Sequence, residues 1–455
     1  MTLAQHNSTA RSGRVLQPEL NGAYRRLVRG KGVEVVDDQG RTLLDAAAGV
    51  GVLSLGYDVP EIVDAMTEQA RRLPFVHALR FGVDSAQTLA EELAAATPDP
   101  ITRFFLCSGG SEAVESALKI ARQYHVERGE VARYKFIGRW QSFHGNTLAT
   151  QAVGGHLARR RRHLPLLMEF PKIESPDCYR CGESDHGRCG ERYAEMLRTA
   201  IERAGAETVA AFVMETVTGA TTAGHVPPPG YLSRVRQICD EYGILLILDE
   251  VFTAIGRTGS NFAFEQWDVL PDIVVMGKAI AAGFGPIGVV GIHDRVAGAF
   301  ENGSGRLEHN FTFASHPVVC AGAAVAVRLV RERKLATRAR KVGEVLMGEL
   351  RKLEGFGCIG DVRGRGLMIG VEFVSDRASK APHAPQVRFA QRVADSCYEL
   401  GLIVYPGSGT MDGLRGDHLL LCPPLVLTDD DARRIAAIVG EAAAKVEVDV
   451  GNEGS

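Results

Sequence analysis

Ile244-Leu245-Leu246-Ile247-Leu248-Asp249-Glu250-Val251 is an unbroken apolar run that closes on two acids. A half-exposed strand alternates apolar and polar residues, so a run without alternation has to bury both faces, as in a parallel or mixed sheet covered by helices. Runs of the same kind recur at Arg103–Cys107, Val209–Glu215, Ile273–Met276 and Ile287–Ile292. Helical patterns lie between them. Ser111–His125 repeats apolar residues at Ala113, Ala117, Leu118, Ile120 and Ala121, and Tyr231–Tyr242 behaves likewise. The alternation predicts an α/β domain with a mostly parallel central sheet between helices.

The flanks read differently. Val33–Asp45 is a hairpin turning at Asp38-Gln39-Gly40. After Pro317, helical patterns over 318–334 and 338–353 lead to glycine-punctuated strands around 362–374 and a final helix from Thr428. Both ends together predict a smaller α+β domain built from the two termini. Residues 1–60 are its N-terminal segment, 61–325 the large domain and 326–455 its C-terminal part. A chain of 455 residues is long enough for two such domains. The first fifteen residues and Glu447–Ser455 are expected to be disordered.

Composition narrows the class of function. Hydrophobic residues make up 45%, charged residues 24%, and the formal net charge is -3, which asks for neither nucleic acid nor membrane. The apolar runs fall far short of the ~18 to 20 residues of a membrane span, and the polar N-terminus lacks a secretory pattern. A soluble, cytoplasmic protein is expected. Nine cysteines, several inside apolar segments (Cys107, Cys239, Cys320), suit reduced buried thiols better than a disulfide framework.

Three strand ends carry chemistry. Phe105-Leu106-Cys107-Ser108-Gly109-Gly110-Ser111-Glu112 passes from a strand through small residues into a helix, where free backbone N–H groups suit a phosphate, although such a turn can equally be a simple N-cap. Asp249 and Glu250 stand at the carboxyl end of their strand, the place where open α/β sheets collect ligands; a metal-binding pair or a solvated strand end are the other readings. Lys278 directly follows the strand Ile273–Met276, where its charge is costly to desolvate and a covalent imine would remove that cost.

Taken together, strand then Gly-Gly-Ser, strand then Asp, and strand then Lys resemble the fold-type I pyridoxal-phosphate (PLP) enzymes, and more narrowly the class III, ω-amino-acid and amine, aminotransferases. Seven segments carry the resemblance: GVEVVDDQGRTLLDAAAG (32–49), CSGGSEAVESALKIARQYH (107–125), FHGNT (143–147), ILLILDEVFTAIGRTG (244–259), PDIVVMGKAI (271–280), HNFTFASHP (309–317) and GDHLLLCPPLVLT (416–428). The resemblance implies pyridoxal 5′-phosphate as cofactor, bound covalently by Lys278, which later shuttles the proton between substrate Cα and cofactor. Asp249 would pair with the pyridine nitrogen and Gly109, Gly110 and Ser111 would hold the phosphate. Thr312 from the partner subunit of at least a homodimer would complete that phosphate site. Phe143 and Val251 would flank the ring, and His144 and Glu215 fall on family positions beside it. The implied reaction moves an amino group from an amine or amino acid to a keto acid or aldehyde in two half-reactions.

The departures concern the reaction more than the cofactor. Phe252-Thr253-Ala254 stands where many relatives have Gln-Thr-Gly, and Gly-Gly-Ser replaces a common Ser-Gly-Ser. Arg415 is the candidate partner for a substrate carboxylate, although the usual family position falls on Gly413. A racemase or epimerase, a decarboxylase, an aminomutase or an elimination and replacement enzyme would use the same residues, because all begin at the same Cα carbanion. A binding module that keeps the fold would not need Lys278, Asp249 and the phosphate loop together. Arg159–Arg162 reads as a solvated loop. Cys178, Cys181, His186 and Cys189 have metal-ligand chemistry within twelve residues but no established zinc spacing, and no metal is expected.

Overall fold

Three strands, β1 (Leu27–Lys31), β2 (Glu34–Asp37) and β3 (Thr42–Asp45), precede a series of seven. These are β4 (Ile101–Cys107), β5 (Lys135–Arg139), β6 (Lys172–Ile173), β7 (Val209–Glu215), β8 (Leu245–Asp249), β9 (Ile273–Met276) and β10 (Gly288–His293). Five more follow: β11 (Ile359–Arg365), β12 (Met368–Phe373), β13 (Leu402–Ile403), β14 (Tyr405–Ser408) and β15 (Asp417–Leu421). The structure is a computed structural model that describes residues 15, 16, 18 and 24–453.

The large sheet has the order β4-β10-β9-β8-β7-β5-β6. All neighbours from β9 to β6 are parallel, and β10 alone runs antiparallel to both of its neighbours. The missing alternation in β8 has a direct cause. Leu246 and Leu248 belong to one hydrophobic cluster, while Leu245 and Ile247 face a second one with Ala117, Ile120 and Ala121 of the helix Gly110–Glu127. Both faces of each central strand are therefore interior. Burial of each such side chain contributes about 1.5 to 3 kcal/mol.

The two ends of the chain meet. β13 pairs in parallel with β3, through Leu402 opposite Leu44, and extends the sheet β1-β2-β3-β13. A second small sheet has the order β11-β12-β15-β14. Arg257, fully buried after β8, donates to the carbonyls of Leu367 and Pro423 and so ties the large sheet's loops to this C-terminal part. Buried Glu372 on β12 does the same, meeting Arg363 and Arg180.

One expectation is corrected. The final helix spans Asp429–Glu453, so residues 447–453 are helical rather than disordered. Val439, Ala442, Ala443 and Val446 bury one stripe of it, and Glu453 receives two hydrogen bonds from Arg392, at 2.8 and 2.9 Å. Residues 1–14, 454 and 455, on which the remainder of that expectation falls, lie outside the described residues. Among the described residues no helix is long and apolar enough to cross a membrane.

Candidate active site

Parallel strands deliver their carboxyl ends to one side of a sheet, and the register here aligns them closely. Glu215 at the end of β7 lies opposite Asp249 at the end of β8, and Asp249 lies opposite Val275 of β9, three residues before Lys278. Asp249 is buried and held from two directions. Its Oδ1 accepts the Val251 N–H at 2.9 Å, and its Oδ2 is 2.8 Å from Nδ1 of buried His144. The second ring nitrogen, His144 Nε2, is buried without a hydrogen-bond partner among the described residues. Each Asp249 oxygen keeps a lone pair for a further donor.

Asp249, the last residue of β8, and Glu250, the first beyond it, part company. Glu250 turns inward, where its carboxylate accepts the Ala263 and Phe264 N–H groups at 2.9 and 3.0 Å and the Thr253 hydroxyl. Burial pushes its pKa up to about 7. It organises the chain after β8. Glu215 is buried too, and its oxygens accept the Phe143 N–H at 3.0 Å and the Gly219 N–H at 2.8 Å. Desolvation raises its pKa; His144 works against that shift and the Asp249 charge adds to it. Glu215 thus fixes the backbone that carries Phe143 and His144.

Lys278 sits at φ +41°, in the left-handed region, at the start of a tight turn after β9. Burial lowers its pKa, while Asp249 and Glu215 pull the other way. Its Nζ lies 4.0 Å from the ring centroid of Phe252. Gly109 and Gly110 open the helix Gly110–Glu127, whose first N–H groups lack intrahelical acceptors. A Cβ on Gly110 would stand 2.9 Å from Val251 Cγ1, so only glycine lets this backbone approach Val251. Ser111 Oγ accepts the Asn146 N–H at 3.1 Å. A phosphate cradle of bare backbone, a buried carboxylate and a partly buried lysine fit pyridoxal phosphate.

Other expected residues fall at the rim or beyond it. Thr312 is exposed. Arg415 is exposed as well, and its guanidinium is paired with Asp412, Nε to Oδ2 at 2.7 Å. Its loop nonetheless touches the site's surroundings, because Gln141, two residues before Phe143, donates to the carbonyls of Gly409 and Thr410 at 3.4 and 2.7 Å. Arg159 is not merely solvated. Its guanidinium lies over the Phe143 ring at 4.6 Å, and that of Arg160 lies over Trp140 at 5.5 Å. Neither stacking contact has a sequence signal, and nor does the pairing of His144 with Asp249, which join residues from separate elements.

The cysteine segment runs from beyond β6 into the helix His186–Ala204. Cys178 and Cys189 bring their sulfurs to 3.6 Å, and Cys181 donates to the Cys178 carbonyl at 3.5 Å. His186 is exposed at the start of the helix His186–Ala204. Among the described residues no group of three or more His, Cys, Asp or Glu is arranged to hold a metal ion. The purified protein is expected to contain no stoichiometric zinc, and replacing Cys181 and Cys189 together by Ser is expected to leave cofactor binding unchanged. Elemental analysis of both proteins checks this; one zinc per chain, lost in the double variant together with stability, would contradict it.

Known proteins match the chain along most of its length. The family model described as aminotransferase class-III covers residues 18–442. An uncharacterized aminotransferase, YodT, of Bacillus subtilis (strain 168) is 34% identical over 437 residues, which span 96% of this chain and 98% of that protein. A thermostable (S)-enantioselective omega-transaminase from Thermomicrobium roseum superposes with a TM-score of 0.86 at 35% identity, covering 94% of this chain and 93% of that one. The PMP-bound form of an aminotransferase from Vibrio fluvialis gives a TM-score of 0.85 at 32% identity, with 93% of each chain covered.

Proposed function

We propose, from the premise that this chain belongs to the class III aminotransferases, that Lys278 binds its cofactor covalently and that Asp249 holds the ring nitrogen. The enzyme uses pyridoxal 5′-phosphate to move an amino group between an amine or amino acid and a keto acceptor. The observation that carries the residue assignment is the alignment of Glu215, Asp249 and Lys278 on the adjacent ends of β7, β8 and β9.

When bound, the cofactor supplies an electron sink that stabilises negative charge at substrate Cα. The chain's residues do the rest. Burial lowers the pKa of Lys278 and so favours the neutral amine, the form that can take the proton from Cα. Asp249, oriented by the Val251 N–H and His144, would pair with the ring nitrogen and favour its protonated form. Phe143 and Val251 would flank the ring, and the backbone N–H groups of Gly110 and Ser111 would hold the phosphate. Thr312 of a second copy completes that phosphate site in at least a homodimer. Dilution to monomer is expected to release cofactor, and a fully active monomer in sedimentation would argue otherwise.

The reaction is tested by the cofactor spectrum of the purified protein before and after a panel of amines, amino acids and keto acids. Conversion to the amine form by a donor, and return by an acceptor, is the expected result. Turnover that never leaves the aldehyde form would indicate racemisation, decarboxylation or replacement instead.

Arg415 is the proposed partner of a substrate carboxylate, which it would engage by exchanging Asp412 for the ligand. The exchange swaps one exposed ion pair for another, so the gain is modest. Arg415→Ala is expected to raise KM for carboxylated partners about 3- to 10-fold and to spare simple amines. Steady-state kinetics on both substrate types decides it, since equal losses would mean that Arg415 only shapes its loop.

A further inference from the structure

Phe252 follows Val251 just beyond the end of β8, and its surroundings give the ring a definite place. The side chain is 7% exposed. A Cβ on Gly51, at φ +73°, would fall 2.6 Å from the ring's Cε1, and one on Gly219 would fall 3.2 Å from Cδ2. Val217, Ala263, Met368, Leu420 and Cys422 share its hydrophobic cluster, so both the large sheet's loops and the C-terminal part enclose it. The ring therefore has little freedom to turn away.

Among the described residues no hydrogen bond or ion pair engages Lys278 Nζ; the contact it makes is the face of Phe252, at 4.0 Å. An aromatic face attracts an ammonium group and also accommodates the neutral amine, whereas a carboxylate at the same distance would hold the ammonium form. We propose that Phe252 is a positioning residue for Lys278, holding the amine beneath the cofactor site whenever the lysine is not covalently engaged and presenting it to the cofactor's aldehyde. In the step it assists, the Nζ lone pair forms a bond to the aldehyde carbon, and the carbonyl oxygen leaves as water with the two amine protons. This inference rests on the assignment of Lys278 made above.

The charges around Lys278 set the direction of the pH effect. Asp249 and Glu215 favour its ammonium form, Arg257 disfavours it, and the Cys422 thiol lies close by. The ring face adds to the first group, so removing it moves the balance toward the neutral amine at lower pH. Removing it also releases the amine from its position, and misplacing a reacting group by an ångström can cost about 100-fold.

The test measures covalent capture of pyridoxal phosphate by full-length protein freed of cofactor, trapped with borohydride at timed intervals and read by mass across a pH range. Phe252→Leu and Phe252→Met are each expected to slow capture at the plateau about tenfold, and to move the midpoint to lower pH by about half a unit to one unit. Phe252→Tyr restores both. Capture by the Leu and Met variants at the parental rate with an unmoved midpoint would overturn the inference, as would failure of Phe252→Tyr to rescue at an unchanged melting temperature. Label trapped on Lys278→Ala would instead sink the assignment of Lys278, and this inference with it.

Discussion

Lys278→Ala is expected to abolish turnover, lowering kcat by about four orders of magnitude or more, because one change removes both the covalent attachment and the base. The purified variant should hold cofactor only noncovalently, so that borohydride followed by mass measurement finds no label. The fold should survive. Lys278 already sits at φ +41°, where alanine has the same steric difficulty as lysine, so the substitution adds no backbone strain. It also removes an amine whose charged form burial disfavours. A melting temperature equal to the parent's is therefore expected, which separates loss of chemistry from loss of structure. Near-parental rates in this variant would show that another group carries the cofactor.

Asp249→Asn is expected to keep cofactor binding and to slow proton removal from Cα by about two to four orders of magnitude, since a neutral amide lacks the negative charge that favours a protonated ring nitrogen. The local frame tolerates the change. The amide oxygen can still accept the Val251 N–H, and the amide nitrogen can donate to His144 Nδ1 if the ring proton moves to Nε2. Single-turnover measurement of the half-reaction with an excess of donor reads the chemical step alone. An unchanged rate would mean that Asp249 does not touch the ring nitrogen.

The sequence by itself determined the architecture and the placement of the central residues. Two-sided burial leaves a mark that one chain displays, an apolar run without alternation, and β7 and β9 span the residues that pattern named, 209–215 and 273–276. Because a parallel strand presents its carboxyl end to the same side as its neighbours, Glu215, Asp249 and Lys278 were bound to meet once those runs were strands. The last helix was harder to read. Its final turns are held by Arg392, from an element some 60 residues earlier in the chain, which no local pattern announces.

Only the tertiary structure decided what each polar group faces. The consecutive acids Asp249 and Glu250 have the same chemistry, yet Asp249 meets His144 and the Val251 N–H while Glu250, just past the end of β8, meets the N–H groups of Ala263 and Phe264. Arg415 carries a charge that suits a carboxylate, and the fold supplies Asp412 as its partner three residues away. Phe252 differs from Gln as a letter in the sequence, and only the space left by Gly51 and Gly219 brings its ring beneath Lys278. Strand formation follows from local patterning and burial, whereas packing sets these pairings at distances of a few ångströms, whether the partner is three residues away, as for Arg415, or on a separate element, as for Phe252 and Lys278.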